Sequence, residues 1–165
     1  MTAKVSPDEL TFDDVSVALP PTDSQLRRVF GEPREESIPL HGGTLRTRCI
    51  VDTFGIVFYR DDTPPEVPSL FIAFSPEDTP GFPAHAFPGD VWLGSSLLLP
   101  DVTEADIRGG SSLTLTAHFP HSFRYVSDSF SLHLEFRRRR NRLGKRSGVH
   151  RLAFASLSFH ATNVA

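Results

Sequence analysis

Cysteine occurs once in the 165 residues, as Cys49. An internal disulfide framework is thereby excluded, and a reducing compartment is the default. No apolar run approaches the roughly 18 residues of a membrane-crossing helix. The opening MTAKVSPDEL lacks the apolar core of a secretory leader, so a cytoplasmic location is expected. Chemical signatures are missing too. There is no Cys-x-x-Cys, no His-Glu-x-x-His, no Gly-x-Ser-x-Gly, and no glycine loop leading into a helix to cradle phosphate. On that basis no metal, no cofactor and no membrane partner is expected, and the chain reads as non-catalytic.

What is present points to a packed, mainly β protein. Leu, Ile, Val and Phe make up 29% of the chain, above the level of about 20% below which disorder is expected. At this length a single domain spanning 1–165 is expected. The 14 prolines and 11 glycines are spread along the chain, which favours short elements separated by turns.

Local patterns place those elements. Leu10–Leu19 reads as two short strands around Asp13-Asp14. Thr22 and Gln25 form a capping-box pattern, and Leu26, Val29 and Phe30 make one apolar stripe on a short helix that Gly31 and Pro33 end. Residues 34–44 read as a loop. Leu45–Val51 and Gly55–Arg60 read as strands joined at Asp52, and Ser69–Ser75 as a central strand covered on both faces. Gly89–Leu93 and Ser96–Leu99 suggest a hairpin, and Thr103 opens a single helical turn. Phe130, Leu132, Leu134 and Phe136 alternate with polar residues. The last strand, from about Val149 to His160, changes apolar phase between Phe154 and Leu157, which suggests a bulge. The expected fold is α+β, mainly β: one antiparallel twisted sheet carrying the short N-terminal helix. Phe30, Phe58, Ile72, Phe74, Leu132, Leu134 and Phe136 are the expected core.

Charge is unevenly divided. Residues 1–82 carry 14 acidic and 7 basic side chains, whereas residues 83–165 carry 6 and 10. Such polarity steers charged partners. Two groups are therefore the interface candidates. One is acidic: Asp61, Asp62, Glu66, Glu77 and Asp78. The other is a basic hairpin loop with Arg138, Arg139, Arg140, Arg142, Lys145 and Arg146. Aromatic residues are not interleaved through 137–148 and the net charge is −3, so nucleic acid is not the expected main partner. Cys49 reads as a small buried hydrophobe. His118-x-x-His121 has a ligand-like spacing, but Pro120 intervenes, and on a strand-to-turn segment the two rings are not expected to converge.

A helix ending in Leu26-x-x-x-x-Gly31-x-Pro33, a strand leading to Asp52-x-x-Gly55-Ile56 and an aromatic-rich strand through Phe58-Tyr59, then Phe87-Pro88-Gly89, stand in that order. Together they resemble a family of small bacterial domains, over about Leu10 to Leu99. The resemblance implies an accessory or immunity-type protein that occludes a toxin domain, and it implies no catalytic residues. Two other functions stay open from the residues: a nucleic-acid-binding or regulatory module using the Arg-rich loop 137–146, and an enzyme with a site built from distant loops around His118 and His121.

Overall fold

A computed structural model describes the chain except residues 41, 64, 76–81, 99–100, 111–115, 118–119, 141–145 and 161–165; for residues 108–110, 116–117, 139–140 and 146–148 it describes the backbone alone. The elements run β1 (Thr2–Ser6), β2 (Glu9–Phe12), β3 (Val15–Val17), α1 (Asp23–Phe30), β4 (Arg34–Pro39), β5 (Leu45–Val51), β6 (Ile56–Arg60), β7 (Ser69–Ala73), β8 (Asp90–Leu93), β9 (Ser96–Leu98), α2 (Glu104–Gly110), β10 (Thr116–Ala117), β11 (Ser122–Val126), β12 (Phe130–Arg140) and β13 (Arg146–Phe159). The α+β, mainly β class is as expected.

The strands form two sheets where one was expected. The smaller has the order β3-β2-β1-β8-β9, and the larger β10-β11-β12-β13-β7-β6-β5-β4. All neighbours are antiparallel except β1 and β8, which run parallel. β1 was not foreseen, because only Ala3 and Val5 of its five residues face inward and its partner strand lies far along the chain. Both sheets direct apolar faces into one core. Ala3, Val5, Leu10, Phe12, Val91 and Leu93 come from the smaller sheet; Cys49, Phe58, Leu70, Ile72, Leu134 and Leu157 come from the larger. All seven expected core residues are buried.

Helix α1 joins the two sheets. Its capping box is complete, with Gln25 N–H donating to Thr22 Oγ1 (3.3 Å) and Thr22 N–H donating to Gln25 Oε1 (3.1 Å). Leu26 and Phe30 are buried. The Phe30 ring meets Phe12 of the smaller sheet edge-on at 4.6 Å and Phe54, in the turn between β5 and β6, at 5.7 Å. Gly31, at φ 82°, ends the helix. Thr22→Ala should lower the unfolding free energy by about 1 kcal/mol, read from a urea midpoint at unchanged slope.

Two segments expected as loops are strands. Within residues 34–44, β4 pairs with β5 from Arg34↔Ile50 to Pro39↔Leu45. Its sequence REESIP is polar because it is the edge of the larger sheet, where charged residues and proline are tolerated. In the basic segment, the described residues belong to strands, with β12 and β13 paired as far as Arg140↔Arg146.

The bulge in β13 lies at Ala153, just before the stretch expected. Glu135 pairs with Phe154 but Phe136 pairs with Leu152, so Ala153 is the extra residue. Its carbonyl accepts from Phe74 N–H at 2.8 Å. Without the extra residue, Leu152 and Phe154 would share a face. With it, Leu152 is buried in the core while Phe154 turns to the opposite face.

Candidate functional site

The acidic group is only partly a free surface. Asp61 is engaged: Arg46 donates to its two carboxylate oxygens from Nε (2.7 Å) and Nη2 (2.8 Å). Asp62 and Glu66 are exposed in the turn between β6 and β7. Glu77 and Asp78 lie outside the described residues. Five other carboxylates of the acidic half are also paired. Arg27 binds Asp23, Glu32 and Glu35; Arg60 binds Asp23 and Glu35; Arg34 binds Glu36 and Asp52. Hydrogen bonding from Arg27, and then from Arg60 against the opposing effect of burial, holds the Glu35 carboxyl below its ordinary range. Six of the fourteen acidic side chains of residues 1–82 are thus held by arginines of the same segment, whose net negative charge is unchanged by the pairing.

Four of the basic group, Arg138, Arg139, Arg140 and Arg146, lie on strands rather than in a loop. Arg138 is exposed on β12; Arg139 and Arg140 follow it on the same strand, and Arg146 opens β13. Arg142 and Lys145 lie outside the described residues. Cys49 is fully buried, and burial pushes its thiol up to about 11, so it is protonated and unreactive at neutral pH.

The more distinctive surface is the outer face of the larger sheet. Side chains alternate along each strand, so the residues between core positions gather there. Arg48 from β5, Val57 and Tyr59 from β6, Phe71 and Ala73 from β7, and Phe154 from β13 line a shallow pocket with Phe82 and Pro83. Its space, open to solvent on one side, is about 370 Å³. The rings form a chain of edge and tilted contacts: Tyr59 to Phe71 at 5.7 Å, Phe71 to Phe154 at 6.2 Å, and Phe154 to Phe82 at 6.4 Å. Tyr59, Phe71 and Phe154 are each half-buried, so β7 is only partly covered on its second face, against expectation.

Arginines rim this stripe, each held by a carboxylate. The Arg46 guanidinium lies 5.9 Å from the Tyr59 ring centre and is fixed by Asp61. Arg137 lies 5.0 Å from the Phe154 ring centre and donates to Glu135 at 2.5 Å. Arg48 donates to Glu36 at 2.5 and 3.1 Å.

A second constellation lies at the far end of β13. His121 Nδ1 is 2.6 Å from Glu104 Oε1, and its ring stacks on His150 with centres 3.5 Å apart and planes 13° apart. Burial, then His121 and Arg138, push the His150 imidazole below its ordinary range, against the pull of Glu104. His118 lies outside the described residues. The convergence of His121 with Glu104 and His150 has no local sequence signal, because the three residues come from separate elements.

The DUF7738 family model, a domain of unknown function, matches residues 2–108. The chain belongs to the DUF7738 family. The DUF7738 match takes in the smaller sheet, α1 and strands β4 to β7, and ends within α2. Strands β10 to β13 lie beyond it, so the outer face is built jointly by DUF7738 residues and by Arg137 and Phe154. No curated protein and no solved structure matches the chain.

Proposed function

We propose that the chain is a cytoplasmic, non-catalytic protein-binding module of the immunity type, which occludes a toxin domain by docking through the outer face of its larger sheet. The observation that carries this reading is the Tyr59-Phe71-Phe154 stripe rimmed by Arg46, Arg48 and Arg137. Tyr, Phe and Arg are the side chains enriched at the centres of protein interfaces, where half-buried rings add contact area at small entropic cost. The carboxylates favour a protein over a nucleic acid as partner. Each rim arginine already holds an acidic group, which leaves little net positive charge for phosphates. The same pairs fix the guanidinium planes in advance, which favours a shape-complementary protein surface.

The partner to test is the product of a toxin-like reading frame adjacent to this gene. The purified pair should form a complex by size exclusion. Phe154→Glu and Tyr59→Ala should each weaken it by about 100-fold, measured by calorimetry, with the thermal midpoint of the free protein little changed. Asp62→Lys with Glu66→Lys should leave affinity within about threefold and act chiefly on the association rate. Full affinity in Phe154→Glu, with binding lost on reversing Asp62 or Arg138, would place recognition on a charged group and overturn the aromatic face.

A further inference from the structure

We infer that Glu104, His121 and His150 form a binding site for one Zn²⁺ or a similar late first-row divalent cation, held by one carboxylate oxygen and two imidazole nitrogens. The three donor atoms all lie within 4.8 Å of one another. Around a tetrahedral zinc with bonds of about 2.0–2.2 Å, donors sit about 3.3 Å apart. The cluster is therefore within a small side-chain adjustment of that arrangement.

Backbone bonds that do not involve these side chains bring the donors together. Glu104 opens α2, and the residues before it are tied to β13 by the Thr103↔Arg151 bridge and by Leu152 N–H donating to the Val102 carbonyl at 3.0 Å. His121 occupies a turn position at φ 64°, and its carbonyl accepts from Phe136 N–H at 2.9 Å. His150 pairs with Arg138 in the β12–β13 register. Three separately anchored positions thus converge on one point. Both histidine rings must leave their parallel stack to aim lone pairs at a common ion. His121 is 47% exposed and has room to turn. Two imidazoles and one carboxylate suit zinc, nickel or copper rather than magnesium or calcium, which take oxygen donors. Three protein donors leave the fourth zinc position to water. The Arg138 guanidinium, facing His150 across the hairpin, is the charge the ion has to tolerate.

The ion would join the end of the DUF7738 segment, which contains Glu104, to the turn before β11 and to β13 beyond it. This inference does not depend on the docking face.

Tag-free full-length protein, stripped with chelator, should be titrated with Zn²⁺ and with Co²⁺. One equivalent of Zn²⁺ should bind and raise the thermal midpoint, Co²⁺ should give the visible absorption of a four-coordinate site, and Mg²⁺ and Ca²⁺ should do neither. Glu104→Gln and His150→Gln should each weaken Zn²⁺ binding by about tenfold or more, whereas His85→Gln, in a separate exposed segment, should not. Circular dichroism of the metal-free variants separates lost binding from lost folding; if His150→Gln does not fold, Glu104→Gln decides. A flat Zn²⁺ titration, or affinity unchanged within twofold in the folded variants, overturns the site.

Discussion

Gly55→Ala should lower the unfolding free energy by about 2–5 kcal/mol, a large share of the 5–15 kcal/mol typical of a domain. Two penalties add. Gly55 has φ 62° and ψ 30°, a left-handed conformation that disfavours a Cβ by roughly 1–2 kcal/mol. The Cβ would also fall 2.4 Å from Phe87 N, 2.6 Å from Ala86 C and 2.8 Å from His85 O. These are backbone atoms, and they cannot swing aside. Ala84 N–H is bonded to Asp52 Oδ1, Phe87 N–H to the Ala73 carbonyl, and Ala73 N–H to the Gly55 carbonyl. Relief requires lifting the whole 82–87 segment off β7, at an overpacking cost of about 1–3 kcal/mol. Gly31→Ala probes backbone strain alone: φ is 82° and ψ −167°, a region open essentially to glycine, and nothing lies within 4 Å of the added Cβ. It should show only the backbone penalty. A loss at Gly55 of no more than about 2 kcal/mol, by urea unfolding, would remove the steric half of this account.

Phe58→Ala should cost about 3–5 kcal/mol. Phe58 is fully buried in β6, with Cys49 on one side and Leu70 on the other as register partners. Close neighbours on both flanking strands limit how far the sheet can collapse into the hole, so much of the cavity persists. Phe58→Leu should recover most of the loss. A thermal midpoint unchanged in the alanine variant would show that β6 is not a central strand.

Elements specified by their own residues were legible in the sequence. Helix α1 carries its cap, stripe and stop within ten residues, Thr22 to Gly31, and β12 displays its buried face as Phe130, Leu132, Leu134 and Phe136. What could not be read is what distant partners impose. β4 looks like a loop because its strand character comes from pairing with β5 and from Glu35 and Glu36 meeting arginines on other elements. The outer aromatic face was hidden for a similar reason. Phe71 and Phe154 are far apart in sequence, and Phe154 faces outward only because of the extra residue at Ala153. Which arginine of the acidic half folds onto which carboxylate was hidden too, because sequence counts charges without showing pairs.

The strand order also sets a schedule for chain synthesis. β7 gains one neighbour early, from β6, but its other edge is filled only by β13, which follows much later in the sequence. Until Phe154–Ser158 emerge, SLFIA presents a bare, apolar edge, which is a template for pairing with other chains. The longest strand among the described residues is therefore also the guard of β7 against aggregation.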